Sequence, residues 1–416
     1  MLRTSPIRTS LGALVSLLSC VSVVAQSGLL NDLDHVLSGR EDLSTFRDLL
    51  SRYPHVLLDL PSYAGFTIVA PNNDAFEKNR DWDRDDRDMM TDILTYHMLQ
   101  GTVSIKAIQI GIPVFAPTLL KDSASTNITG GQRVIIHSQG NDEIVFTSGA
   151  DSRSTVVEGD IQFSDGMLHI VDTMLVPPMR LEPTCRVYYP ILRAFLAALY
   201  RTGLIDQFAN TRDVTIFAPW DTAFQLTSGA LSALQPSELK DILTYHIISG
   251  QVLYSPDLSN ATTWPTLSQA RGATGPANVT VTFAGNNRYI DSSQILHADI
   301  LIANGVVHMM ENVLNPDQAD VRPNLDRYTQ TPVFSLTGAT ATGTKVPVPF
   351  TEALPCTADC SVTPSKTTTT PTTDLTNYFS TNGVAGGGLV PKCTGIAGVI
   401  GMGVFGAGML GVAGVL

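Results

Sequence analysis

Six residues, DILTYH, occur twice in this chain, at Asp92–His97 and again at Asp241–His246. Two further landmarks recur in the same order around them. FTIVAPNNDAF, Phe66 to Phe76, returns as VTIFAPWDTAF, Val214 to Phe224. DIQFSDGMLHIVDTML from Asp160 returns as DILIANGVVHMMENVL from Asp299. The offsets are 148, 149 and 139 residues, so order is kept and only the last interval changes. A tandem duplication of one module follows, and any fold for this chain must be built twice.

Each landmark has a local physical reading. TIVAP and TIFAP are short β-branched and apolar runs ended by proline, the pattern of buried strands. Asn72-Asn73-Asp74 and Trp220-Asp221-Thr222 then offer side-chain acceptors for a helix start, with Phe76 and Phe224 as apolar anchors. Asp165-Gly166 and Asn304-Gly305 read as type I′ hairpin turns in which glycine supplies positive φ. DILTYH reads as a helix end: Ile93 and His97, like Ile242 and His246, are four apart on one face. Gly101 and Gly250 stand where a C-terminal cap is expected. Apolar periodicity at Leu43, Phe46, Leu49, Leu50 and Tyr53, and at Ile191, Leu192, Phe195, Leu196 and Leu199, places a helix ahead of each first strand. Helices early and hairpins late give an α+β module.

The two ends indicate compartment. Arg3 and Arg8 precede an apolar run from Leu11 to Val24, and Val23 and Ala25 suit cleavage before Gln26, so 1–25 is expected to be a secretory signal peptide. Thr394 to Leu416 carry no charge, and small residues lie upstream at Asn382-Gly383 and Gly386 to Gly388. Together with a spacer through Lys392 these are the parts of a glycosylphosphatidylinositol (GPI) attachment signal, 383–416, with Asn382 as the expected attachment residue. Gly383 and the triple glycine are the alternatives, and a small-xxx-small dimerising helix is the competing reading of the tail. Between 317 and 382 the texture turns to Thr and Pro, SVTPSKTTTTPTT from Ser361, and an O-glycosylated, disordered Thr-rich stalk is expected there.

Net charge is −12 over the full chain. Losing Arg3, Arg8 and Lys392 with the two ends makes it more acidic still. That excludes a nucleic-acid partner, which would need clustered Lys and Arg. Of five cysteines, Cys20 and Cys393 leave with the ends. Cys356 and Cys360 can close a small disulfide loop, or Cys185 can bridge to either. Asn127, Asn260 and Asn278 open three N-glycosylation sequons.

The strand-then-turn TI[VF]AP, the YH dipeptide after an apolar helix and the terminal G-x-[LV]-H hairpin together resemble the fasciclin-domain family. The resemblance covers 28–178 and 182–316. It implies two tandem fasciclin-like domains, each a β-sandwich or wedge with packed helices, in a secreted or GPI-anchored protein that mediates adhesion. In animal members the Tyr-His motif is implicated in integrin binding, so Tyr96, His97, Tyr245 and His246 become partner-binding candidates. The Thr-rich stalk and glycine-rich tail suggest a fungal wall protein, whose partners would be cell-surface, matrix or wall proteins or glycans, with the membrane reached through the GPI lipid. A structural wall component cross-linked through its GPI remnant is the alternative reading, and a wall-polysaccharide enzyme a third.

The chemistry-bearing residues point away from catalysis. No G-x-S-x-G elbow, papain-type cysteine context or phosphate loop occurs. Neither YH histidine has a second ligand at helical spacing, so no metal, cofactor or catalytic residue is expected, and ring nitrogens bonded to backbone in the core are the simpler expectation. Asp81, Asp83 and Asp85 alternate but lack the glycine and glutamate of a calcium loop, and fit a solvated helix start better. Trp82, among charges, and Trp220, where the first copy has Asn72, are candidate contact aromatics unless they cover their own cores.

Overall fold

The two TI[VF]AP runs lie inside two seven-stranded sheets. The computed structural model describes residues 31–58, 65–78, 82–140, 143–164, 166–269, 274–336 and 347–355. The expected signal peptide, Cys356, Cys360, the Thr/Pro run, Asn382 and the apolar tail lie outside the described residues. All the described residues belong to one compact unit.

In repeat 1 the strands are β1 (Phe66–Pro71), β2 (Met98–Gln100), β3 (Val114–Pro117), β4 (Arg133–Ser138), β5 (Ile144–Thr147), β6 (Arg153–Phe163) and β7 (Gly166–Val171). Repeat 2 has β8 (Val214–Pro219), β9 (Ile247–Ile248), β10 (Thr263–Gln269), β11 (Pro276–Ala284), β12 (Asn287–Ile290), β13 (Ser293–Ile302) and β14 (Gly305–Met310). The spatial orders β2-β1-β7-β6-β5-β4-β3 and β9-β8-β14-β13-β12-β11-β10 correspond strand for strand. Every pairing is antiparallel except β1 with β7 and β8 with β14.

Side-chain alternation then explains why β1 and β8 are buried throughout. Ile68 and Ala70 face a helical layer with Phe46, Leu49 and Met90, whereas Val69 faces an inner core with Leu99, Val134, Ile136 and Phe146. In repeat 2, Ile216 and Ala218 face Phe195 and Leu243, and Phe217 faces Val279, Val281 and Ile290. Each repeat is thus a sheet folded over its own core with helices on the other face, the sandwich or wedge expected. The helices that matter below are α1 (Ser44–Arg52), α2 (Asn73–Lys78) and α3 (Arg87–Tyr96), and their counterparts α4 (Arg193–Thr202), α5 (Asp221–Leu226) and α6 (Pro236–Thr244).

Several local expectations change. Gly101 does not cap α3: the helix stops at Tyr96, β2 starts at Met98, and Gly101 (φ 82°) follows that strand. The hairpin between β13 and β14 is not type I′, because neither Ala303 nor Asn304 has positive φ and Gly305 already pairs with Ile302. Glycine is required there for a different reason: a Cβ on Gly305 would stand 1.9 Å from the Val214 carbonyl oxygen of the neighbouring strand. At the helix starts, Asn72 Oδ1 accepts from Ala75 N as expected (2.9 Å), but Trp220 makes no such cap. The next residue serves another helix, since Asn73 Oδ1 accepts from Thr45 N (3.0 Å) and Asp221 Oδ1 from Ala194 N (2.7 Å), at the starts of α1 and α4.

The stalk expected from 317 does not begin there. Phe334, Val348 and Leu354 pack against repeat 2, and Phe350 is buried in its helical core. Apolar side chains spaced among the prolines and threonines fold this strap back. Phe350 meets Phe224 edge-on (6.3 Å between centroids), Arg201 lies 5.1 Å over its ring, and Glu352 pairs with Arg201 at 3.2 Å. Repeat 1 fills the same groove from within: Trp82 packs on Phe76 (5.1 Å) and Asp85 pairs with Arg52 at 2.9 Å. Phe76 matches Phe224 and Arg52 matches Arg201 in the duplication, so one groove is plugged twice by unrelated segments.

The repeats also dock on each other. Phe115 stacks on Tyr254 (4.4 Å), inside a cluster with Ile135, Leu301 and Val306.

Candidate functional site

The YH dipeptides sit where the three repeated landmarks meet. His97 ends α3 and its main-chain carbonyl accepts from Val69 N of β1 (2.9 Å). Its ring bonds the backbone at both nitrogens. Nε2 lies 2.9 Å from Leu175 N, a donor, so Nε2 must be the acceptor. The proton therefore sits on Nδ1 and is donated to Ile93 O at 2.7 Å. Repeat 2 has the same arrangement: Phe217 N to His246 O (2.8 Å), Leu314 N to Nε2 (3.0 Å) and Nδ1 to Ile242 O (2.8 Å). The isoleucine four residues earlier thus supplies a carbonyl, and each histidine ties a helix end to the segment leaving β7 or β14.

Tyr96, His97, Tyr245 and His246 are all 0% exposed. Tyr96 donates its hydroxyl proton to Arg133 O (2.8 Å) in β4, across the inner core. Tyr245 places its hydroxyl 2.8 Å from both Asn278 O and Asp291 Oδ2. Trp82 is 9% exposed and covered by Phe76, with the Arg84 guanidinium over its ring, and Trp220 donates its indole N–H to Glu311 O (3.0 Å). All six aromatic and histidine candidates therefore face their own domains. The remaining letters of the motif are less uniform: Asp92 is buried and accepts from the Ser125 hydroxyl, whereas Asp241 is exposed.

A second histidine pair follows the same logic with the opposite tautomer. His169 Nδ1 accepts from Asp160 N (3.0 Å), so Nε2 carries the proton and donates to Val103 O (2.8 Å). His308 bonds Asp299 N (3.3 Å) and Leu253 O (2.8 Å) in the same way. Asp160 and Asp299 lie at bulges with φ 56° and 65°, and a short acidic side chain tolerates this region while bonding locally. Asp160 Oδ1 accepts from Ile105 N (2.9 Å) and Asp299 Oδ1 from Ser255 N (2.7 Å). Sequence marked these histidines as recurring, but the role of the aspartates shows only when the bulge places them beside the loop after β2 or β9.

Burial sets the protonation. It pushes His97 and His246 down to about 4, which the fixed Nδ1–H tautomer requires. It also raises Asp291 to about 6, against the bonds from Thr280 N and Tyr245 that lower it. Cys185 is buried and its thiol is pushed up to about 12, so it is an inert core residue rather than a nucleophile. Among the described residues no group of three or more His, Cys, Asp or Glu is arranged to hold a metal ion, and no helix is long and apolar enough to cross a membrane.

These shifts predict unequal acid sensitivity. A histidine whose folded pKa is depressed contributes stability above the unfolded value near 6.5, and loses it as pH falls towards 4. Between pH 7 and 5 that costs about 2 kcal/mol per histidine. Asp291, raised in the fold, runs the other way: its contribution is fully present below 3.8 and is lost as pH rises through 6. Acidification therefore regains part of the loss in repeat 2, and Tyr96 has no carboxylate partner in that role. Hydrogen exchange at pH 7 and 5, corrected for intrinsic rates, should show protection at the Leu175 amide falling several-fold more than at Leu314. Equal losses would mean Asp291 does not titrate in this window.

Comparison with known proteins is consistent across both repeats. A family model described as Fasciclin domain matches residues 41–177 and 190–316, more than half of the chain. The fasciclin-like arabinogalactan protein of Arthroderma benhamiae is 27% identical over 327 residues, covering 77% of this chain and 73% of that one. Fasciclin-like arabinogalactan protein CTB11 of Cercospora beticola is 28% identical over 302 residues, covering 69% and 76%. Transforming growth factor-beta-induced protein ig-h3 of Sus scrofa is 24% identical over 314 residues, covering 72% of this chain and 42% of that one. A solved domain pair from the insect cell adhesion molecule fasciclin I aligns at 21% identity over 66% of this chain and 96% of that chain, with a TM-score of 0.31.

Proposed function

This chain belongs to the fasciclin domain family, and on that premise we propose that it is a non-enzymatic adhesion protein of the cell surface. It contacts cell-surface, matrix or wall proteins or glycans through two fasciclin-like domains. The observation that carries this reading is the duplication itself, two copies of one module joined in one compact unit. Two weak sites held together raise avidity through effective concentration without either being tight.

In this reading the Tyr-His helix ends build the fold, and contact is made elsewhere. Side chains available for it include Ile110 (72% exposed) and Ile112 (55%) in repeat 1 and Tyr328 (94%) after repeat 2. The secretory leader, the glycosylated stalk and GPI attachment at Asn382 belong to the same proposal, and place the protein at the plasma membrane with transfer to the wall as a later step.

The test is attachment of cells to the immobilised protein. Wild type should retain cells, and Ile110→Ser with Ile112→Ser, or Tyr328→Ser, should reduce attachment by half or more while leaving the melting temperature unchanged. No attachment to the folded wild-type protein would sink the adhesive reading in favour of a structural wall component.

A further inference from the structure

The three sequons are not equivalent. Asn260 and Asn278 are exposed and their bonds stay within repeat 2: Asn260 Oδ1 accepts from Phe283 N (2.8 Å), the Thr262 hydroxyl of that sequon donates to Ser259 O in the same turn (2.6 Å), and Asn278 O lies 2.8 Å from the Tyr245 hydroxyl. Asn127-Ile128-Thr129 is held differently, by repeat 2. Asn127 N donates to Ala303 O (2.8 Å), Asn127 O accepts from Asp213 N (3.2 Å), and Nδ2 donates to Asn210 O (2.9 Å). Thr129 donates its amide and its hydroxyl to the two Asp213 carboxylate oxygens at 2.6 and 2.5 Å, and Arg212 Nε donates to that hydroxyl (3.1 Å). Thr126 Oγ1 adds a bond to Ala303 O (2.9 Å), while Gln132 Nε2 donates to Ile302 O (3.1 Å).

We infer that the Asn127 sequon is the latch joining the two repeats, and that docking of repeat 2 competes with glycan transfer to Asn127. Sugar transfer to an asparagine amide needs that nitrogen and the threonine hydroxyl free together. In the docked protein one Nδ2 hydrogen and the threonine hydroxyl are both bonded to repeat 2. Beside Asn127 a cleft of about 110 Å³, open to solvent, lies between Ser123, Arg180, Asn210 and Asn304. Sugar transfer and docking therefore compete for the same groups: docking withdraws the Thr129 hydroxyl onto Asp213, and a chain in which repeat 2 docks first is a poor acceptor at Asn127. The backbone of Asp213 suits this contact, because at φ 51° it takes a conformation that Asp and Asn tolerate and turns its carboxylate onto Thr129.

The experiment uses the full chain secreted from a glycosylating eukaryotic host. Enzymatic deglycosylation in heavy-oxygen water followed by mass spectrometry reads occupancy at each asparagine. Asn260 and Asn278 should be modified in most chains and Asn127 in fewer than about a tenth as many. Equal occupancy at all three, high or low, would overturn the inference. A second arm tests the latch alone with Asp213→Asn, which keeps the backbone conformation but turns a donor towards Thr129. Tryptic cleavage after Arg180, between the repeats, should accelerate about tenfold, with Asn260→Gln as an unaffected control. Cleavage at the wild-type rate in Asp213→Asn would show that the sequon does not hold the repeats together.

Discussion

Replacing Gly305 by alanine is expected to prevent repeat 2 from folding, with a loss above about 4 kcal/mol, the range reached only by a few severe mechanisms. The added Cβ would stand 1.9 Å from Val214 O and 2.8 Å from Val214 C, backbone atoms of β8. Gly305 pairs with Val214 at the start of the parallel ladder between β14 and β8, so neither strand can retreat without losing the one parallel pairing of this sheet. The equivalent substitution in repeat 1 provides the control. A Cβ on Gly166 meets the Phe163 ring at 2.3 Å, the far end of a side chain that can rotate aside. Gly166→Ala should therefore cost only what ordinary overpacking costs, about 1–3 kcal/mol. Denaturant unfolding of the two variants decides it, and similar losses would mean that the β8–β14 pair is more compliant than its ladder implies.

His97→Ala and His246→Ala should each destabilise their own repeat by about 3–5 kcal/mol. Part of that is the cavity left by a fully buried ring. The rest is the Leu175 or Leu314 amide, which loses its acceptor inside the core at a cost of about 1–3 kcal/mol. Phenylalanine separates the two parts, because it fills the volume without accepting the bond. His97→Phe should recover the cavity share only, and remain at least about 1 kcal/mol below wild type. Full recovery would assign the histidine a space-filling role and leave the tautomer geometry shared by the two repeats without an energetic purpose.

Much of this was legible from letters alone, for a definite reason. Duplication presents each landmark twice, so a buried strand, a helix end and a hairpin could each be read against an internal copy. The repeat also marked His97, His246, His169 and His308, but not what they hold, because their partners are main-chain groups that carry no letter. Leu175 N and Val103 O could have been any residue's amide or carbonyl. The glycines misled for a related reason. Gly305 sits beside a turn dipeptide, and local turn chemistry offers positive φ as its purpose, whereas its real constraint is a strand brought alongside from Val214. The burial of Trp82 and the strap over repeat 2 are likewise tertiary: nothing near Phe224 in sequence indicates that Phe350 will cover it.

That strap has a mechanical consequence. Any pull on the chain from beyond residue 355 reaches Leu354, Glu352 and Phe350 before it reaches a strand of repeat 2. These contacts lie in succession along the strap, so tension peels them one after another instead of breaking them together. β14 is placed otherwise, between β8 and β13, where separation must shear hydrogen bonds on both sides. The order of yielding is thus set by order along the chain: the strap gives way first, lengthens the chain and uncovers the Phe224 groove, while the sheet behind it carries no load until that slack is spent.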